Sequence, residues 1–172
     1  MGTPKTYIIA EIGINHNGSL ENCLKMVDAA VDANCDGCKF QFFKAEYLYP
    51  RSAGSLDWKG KTKRYSYDIY NAVRGFEMPY SWVGKIINYC KKKRVDFLCS
   101  VFDIKNAGLL AKARPAAIKI SSYSITNIPL IQYCAKMRLP LIISTGGAML
   151  GEIEDAVLAV RKYHNRFSLM HC

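Results

Sequence analysis

The chain has 172 residues, of which half are hydrophobic and 22% charged, the balance of one ordinary globular unit with a sizeable core. No run approaches the roughly 18 apolar residues that span a membrane, and the opening Met1-Gly2-Thr3-Pro4-Lys5-Thr6 lacks the apolar stretch of a secretory leader. The formal charge of +10 favours anionic ligands, but no nucleic-acid-binding motif accompanies it.

Much of that charge lies in two clusters, Lys59/Lys61/Lys63/Arg64 and Lys91/Lys92/Lys93/Arg94. The second closes a predicted helix, where cations meet the negative end of the helix dipole. Both read as solvated faces. Gly2 and Thr6 loosely fit a myristoylation pattern, yet Thr6 leads directly into a strand. Seven scattered cysteines are an odd count and argue against a disulfide framework. Cys35-Asp36-Gly37-Cys38 is formally a CxxC, but no second ligand pair stands out for zinc. The pair flanks a buried strand and reads as packing, which points to a reducing, cytoplasmic setting.

Strand and helix patterns alternate along the chain. Tyr7–Ile12 is a β-rich run ended by Gly13, and Ser19 is placed to cap a helix bearing Leu20, Leu24, Val27 and Val31 on one face. Cys38–Phe43 is the second strand, and Ser81–Arg94 forms a helix carrying Trp82, Ile86, Tyr89 and Cys90. Val95–Phe102 is the third strand, followed by a short helix near 107–113; Ala117–Ser121 is the fourth. Pro129 opens the next helix near its first turn. Leu141–Ser144, a helix marked by Ile153, Ala156, Val157 and Val160, and Phe167–Cys172 complete the series.

Six strands in alternation with five helices predict parallel βαβ units with right-handed crossovers. Lys39 and Gln41 share a strand face, and Lys119 interrupts an otherwise apolar strand. Barrel interiors take such residues near the C-terminal mouth, whereas strands buried in an open sheet carry continuous aliphatic runs. No Gly-rich dinucleotide fingerprint follows the first strand. The fold expected is therefore an α/β chain, an incomplete (β/α)8 TIM barrel over 1–172. The connection 44–80 breaks the regular spacing; it contains a helical turn at Tyr67–Val73, and its functional expectation is a lid over the barrel mouth.

Lys39 and Lys119 would be costly to bury unpaired, so a phosphate or carboxylate ligand is a fitting partner, with an ion pair to Glu11 as the alternative. Two lysines against one acid leave positive charge in excess. Ser122 and Ser144 stand at strand ends, where their hydroxyls can donate to phosphate, and Thr145-Gly146-Gly147 adds backbone amides at a helix entrance.

Ala10-Glu11-Ile12-Gly13-Ile14-Asn15-His16-Asn17-Gly18 resembles the opening signature of the sialic acid synthase family. Lys39-Phe40-Gln41, Ala117–Ser122, Ile142–Gly146 and Leu169-Met170-His171-Cys172 resemble its later strands, in order and over nearly the whole chain. The resemblance implies condensation of phosphoenolpyruvate with N-acetylmannosamine or a related amino-sugar aldehyde. Carbon 3 of phosphoenolpyruvate attacks an aldehyde polarised by a divalent metal, manganese or magnesium; water adds at carbon 2 and phosphate leaves. It implies Glu11, Lys39 and Lys119 at the reacting centre, Gln41 against the sugar, and Ser100 and Phe102 in the phosphoenolpyruvate pocket. For His16 a polar-turn role competes with a catalytic one, and His171 reads as a core histidine.

Two departures stand out. Ser124 occupies a position where the family has an acid, which brings in a second reading: a non-catalytic relative that binds phosphorylated or acidic sugars. The family's metal-binding histidines lie on later strands, and a full barrel needs roughly 250 residues. The expectation is a portion whose last strands and C-terminal antifreeze-like domain are absent, completed by another segment or by self-association. Neither nucleic acid nor membrane is expected as a partner.

Overall fold

Period-two side-chain alternation places one face of each strand against helices and the other toward the opposite side of the sheet. The computed structural model describes residues 5–60 and 64–172. In chain order its first elements are β1 (Ile9–Gly13), α1 (Leu20–Asp32), β2 (Gly37–Phe42), α2 (Ala45–Leu48), β3 (Ser55–Lys59), β4 (Arg64–Asp68), α3 (Ile69–Gly75) and α4 (Tyr80–Lys93). They are followed by β5 (Asp96–Val101), α5 (Ile104–Lys112), β6 (Ala117–Ile120), α6 (Ile128–Lys136), β7 (Leu141–Ser144), α7 (Leu150–Arg161) and β8 (Phe167–Met170). Gly2, Lys61 and Lys63 lie outside the described residues.

The six predicted strands form one parallel sheet in the order β1-β2-β5-β6-β7-β8. Each strand pairs with the next one in the chain apart from the inserted β3–β4 hairpin. A doubly wound sheet reverses its strand order at a switch point; this one never does, and sequential order is that of a (β/α) barrel. The outer face carries Cys38, Phe40, Phe42, Phe97, Cys99, Val101, Ile118, Ile120, Leu141 and Ile143, all buried in one core with residues of α1, α4, α5, α6 and α7. Burying each large side chain there contributes about 1.5–3 kcal/mol.

Local capping fixes where the helices begin. Ser19 accepts from the Asn22 amide at the start of α1, Asp103 from Asn106 at α5 and Asn127 from Leu130 at α6. Asp103 starts α5 at Ile104, earlier than the 107–113 expected from apolar spacing. The basic end of α4 is partly neutralised: Lys93 pairs with Asp28 at 2.5 Å and lies over the Tyr89 ring. All seven cysteines are free thiols, with Cys38 buried and Cys35 partly so.

The 44–80 connection departs most from expectation. Tyr67 and Asp68 belong to β4, so the helix begins at Ile69, with Asp68 accepting from the Asn71 amide. β3 and β4 form an antiparallel hairpin in which Leu56 faces Tyr67 and Trp58 faces Tyr65. Its aromatic stripe stacks, with Trp58–Tyr65 ring centroids 5.6 Å apart and Tyr65–Tyr67 6.1 Å. Glu77 fastens the segment's two ends, accepting from the Ala45 amide and pairing with Lys44. Among the described residues, no helix is long and apolar enough to cross a membrane.

Candidate active site

The inner face of the sheet collects the polar strand residues. Glu11 is the register partner of Lys39, Gln41 of Ser100, and Ser100 of Lys119. Partners across parallel strands project to the same side, so these five side chains line one face near the strands' C-terminal ends. They surround a cleft of about 420 Å³ that Phe102 also lines. Phe43 packs edge-on against Phe102, with centroids 5.9 Å apart, and holds that ring in place.

The cleft's charges are unevenly compensated. The Lys39 side chain is only 9% exposed and its ammonium pairs with the half-exposed Glu11 carboxylate. Lys119 has no ion-pair partner among the described residues. Burial, and secondarily the nearby Lys39 ammonium, hold its pKa below the ordinary lysine value. Two cations and one anion thus leave a net positive site in a partly desolvated cleft.

Glu11 owes its position to a break in β1. The pairing register shifts between Glu11 and Gly13, and Gly13 adopts a φ of +57°. A Cβ at Gly13 would approach Glu11 Oε1 to 3.1 Å. Absence of a side chain there opens the room the carboxylate occupies.

Ser122 and Ser144 do not line this cleft; they form a neighbouring donor cluster. Ser122 Oγ accepts from the Gly146 amide at 3.0 Å. The Ser144 hydroxyl, then that of Ser122, together with the Thr145 and Gly146 amides, holds the Cys172 thiol below its usual range. Serine hydroxyls and backbone amides gathered at strand ends are the kind of donors that also hold phosphate oxygens. Gly146 is needed for the approach, because a Cβ there would lie 2.9 Å from Ser122 Oγ.

His16 is fully buried and off the cleft: its Nδ1 accepts from the Gly18 amide, and its ring meets Trp82 edge-on at 5.8 Å. It holds the β1–α1 turn. His171 follows β8 and is exposed among the described residues. Ser124 is buried, 3% exposed, and bonded to Ser121 through their hydroxyls. None of the described residues of 44–80 lines the cleft, and the described part of the insertion does not cover it. The cleft also includes Gly13, Ile14, Asn15, Ser121 and Tyr123, which sequence reasoning did not select as site residues. Asn15 sat within the quoted opening motif, and Tyr123 between two serines singled out for other reasons.

The resemblance implies a divalent metal, and the chemistry of the donors present decides whether these residues could hold it. No group of three or more His, Cys, Asp or Glu side chains able to hold an ion occurs among the described residues. Glu11, the acid of the cleft, is already engaged by Lys39. These residues do not by themselves fit a metal site.

Comparison with known proteins bears on this arrangement. The chain is 38% identical over 168 residues to spore coat polysaccharide biosynthesis protein SpsE of Bacillus subtilis, covering 96% of this chain and 44% of that protein. It is 35% identical to N,N'-diacetyllegionaminic acid synthase of Campylobacter jejuni, covering 98% and 51%. The chain spans about half the length of the curated relatives it matches. Among solved structures, N-acetylneuraminic acid synthetase of Leptospira borgpetersenii superposes with a TM-score of 0.83 at 31% identity, over 97% of this chain and 54% of that one. A truncated 3-deoxy-D-arabino-heptulosonate 7-phosphate synthase of Thermotoga maritima, 8% identical, shares the fold with a TM-score of 0.66. The NeuB family model matches residues 26–172, which include Lys39, Gln41, Ser100, Phe102 and Lys119 of the cleft. With its sequential parallel strands and inner polar face, the chain belongs to the NeuB family.

Proposed function

We propose that this chain forms the phosphoenolpyruvate-holding portion of a synthase that condenses phosphoenolpyruvate with N-acetylmannosamine or a related amino-sugar aldehyde, releasing phosphate to give a nonulosonic acid. Relatives named as sialic, legionaminic and pseudaminic acid synthases support the reading. The observation that carries it is the uncompensated Lys119 ammonium beside the Lys39–Glu11 pair. An anion entering the cleft replaces the repulsion Lys119 feels with a charge-assisted hydrogen bond.

In this reading Lys39 and Lys119 fix the anionic groups of phosphoenolpyruvate, so its carbon 3 is presented to the aldehyde in one orientation. The new carbon–carbon bond forms between carbon 3 and the aldehyde carbon. Water adds at carbon 2, and phosphate departs from the tetrahedral species. Ser122 and Ser144 donate to phosphate oxygens, Gln41 orients the sugar, Ser100 and Phe102 shape the pocket, and Glu11 pairs with Lys39 and faces the reacting centre. The proposal extends to a cytoplasmic setting and to completion of the sheet edges β1 and β8 by a further segment or a second copy. A non-catalytic anion-binding role is the second reading, favoured by Ser124 at a position where the resemblance calls for an acid.

The direct experiment is thermal unfolding with phosphoenolpyruvate, using sulfate at equal concentration as control. Phosphoenolpyruvate is expected to raise the midpoint more than sulfate does, and Lys119→Ala to abolish the difference. Equal shifts from both ions would sink the reading. Phosphate release from phosphoenolpyruvate in the presence of N-acetylmannosamine separates the enzyme from the non-catalytic relative.

A further inference from the structure

Tyr123 is the most solvent-exposed aromatic side chain among the described residues, at 74%, and it lines the cleft that holds Lys39 and Lys119. Its hydroxyl makes no hydrogen bond among the described residues. Exposing so much aromatic surface contributes nothing to the core, and a flexible loop would let such a ring fold back onto the surface.

The backbone beneath it is not flexible. Residues Ser122–Ser124 form a single 3-10 turn, with the Ser124 amide donating to the Ser121 carbonyl at 2.9 Å and the Ile125 amide to Ser122 at 3.3 Å. The flanking side chains are tied in opposite directions. Ser122 is bonded to the Gly146 amide after β7, while Ser124 is buried against Ser121 below the turn. Both neighbours of Tyr123 are therefore anchored, and the turn sets its Cα at the rim of the cleft that its side chain lines.

Charge distribution decides which ligand it meets. The ammonium groups of Lys39 and Lys119 lie on β2 and β6, within the sheet, and the anion belongs beside them. Tyr123 lies just beyond β6, carries no charge and presents an apolar face with a hydroxyl at its edge. That combination suits a neutral sugar, whose C–H face packs on an aromatic ring while its hydroxyls bond to the polar rim.

We propose that Tyr123 is a specificity-determining residue that packs against the amino-sugar substrate and takes no part in holding phosphoenolpyruvate. The inference rests on the reading of the cleft given above. It requires that removing the ring weaken sugar binding while leaving the anion untouched.

The test uses the chain itself with phosphoenolpyruvate and N-acetylmannosamine as probes. Sugar affinity is measured by saturation-transfer NMR in the presence of phosphoenolpyruvate, and the anion by its thermal shift. Tyr123→Ala is expected to weaken sugar binding by about tenfold, a loss on the scale of one aromatic contact, and to keep the phosphoenolpyruvate shift. Tyr123→Phe is expected to retain most of the sugar affinity, because the ring face makes the contact. An unchanged sugar affinity in Tyr123→Ala overturns the proposal, as does failure of the unsubstituted chain to bind the sugar. If phosphoenolpyruvate gives no shift while sugar binding still depends on Tyr123, the anion reading fails and the Tyr123 assignment stands.

Discussion

Glu11 and Lys39 are register partners on adjacent strands, and their charged ends pair across the inner face of the sheet. Lys119, two strands beyond Lys39, shares that face without a carboxylate of its own. The asymmetry makes one lysine structurally satisfied and leaves the other available to a ligand. It also makes Glu11 an internal competitor for the cation a substrate anion would seek.

Glu11→Gln separates these two roles. Lys39 is buried, so losing its counter-charge is expected to destabilise the chain by about 1–2 kcal/mol, less than for a fully buried pair because Glu11 is half exposed. The same change removes negative charge from the cleft, so phosphoenolpyruvate should bind more tightly. Urea unfolding and a phosphoenolpyruvate titration check the two arms. Weaker anion binding by the glutamine variant would contradict the competitor role.

Lys119→Met should do the opposite. Burial and Lys39 repulsion disfavour the Lys119 ammonium in the folded chain, so methionine is expected to add roughly 1 kcal/mol of stability while eliminating the phosphoenolpyruvate shift. The lowered lysine pKa sets the sign with pH. Below it the folded state carries the full penalty of the charge; between it and the ordinary value near 10.5 the folded state sheds its proton first and wild-type stability recovers. The stability gap between variant and wild type must therefore shrink as pH rises toward that value. A gap that widens instead would contradict the assignment.

Much of this arrangement was legible in the sequence for a physical reason. Lys39, Gln41 and Lys119 are polar interruptions of apolar strands, and period two puts them on the face away from Phe40 and Ile118. The β3–β4 hairpin was missed although its signal was present. Leu56 and Trp58 alternate on one side of Gly60, and Tyr65 and Tyr67 on the other. A stripe left on an exposed hairpin looks like a loop when burial is the criterion. His16 was ambiguous because a turn rich in Asn and Gly reads as solvated; in the fold it is buried, with Trp82, 66 positions later in the chain, against its ring. Contacts of that range leave no local trace.

The buried His16 yields its own pH signature. Desolvation lowers its pKa below 6.5, so as pH falls the unfolded chain takes up a proton first and stability is lost across that window. His16→Phe keeps a ring against Trp82 but removes both the titration and the acceptor for the Gly18 amide. The variant should be less stable by about 1–2 kcal/mol at neutral pH. The deficit should narrow between about pH 7.5 and about pH 5, read from urea midpoints at the two values. A constant deficit would mean that His16 does not titrate differently in the folded chain.

Glu77 governs the inserted segment separately from the sheet. Its carboxylate accepts from the Ala45 amide at 2.8 Å and from Lys44 Nζ at 2.5 Å, and the side chain is 17% exposed. It thereby joins the exit of β2 to the residues just before α4 and closes the loop that carries the hairpin. Glu77→Ala leaves the Ala45 amide without its acceptor, a loss of about 1–2 kcal/mol confined to the clasp. Amide exchange across residues 45–75 should then accelerate by about tenfold, the factor that 1.4 kcal/mol of local opening produces. Exchange in β2, β5 and β6 should not change, because their ladder bonds and the core beneath them do not involve Glu77. Glu77→Gln, which keeps an acceptor for the amide but loses the charge, should fall between the two. Uniform acceleration over sheet and insertion alike would mean that the clasp supports the whole domain rather than this segment.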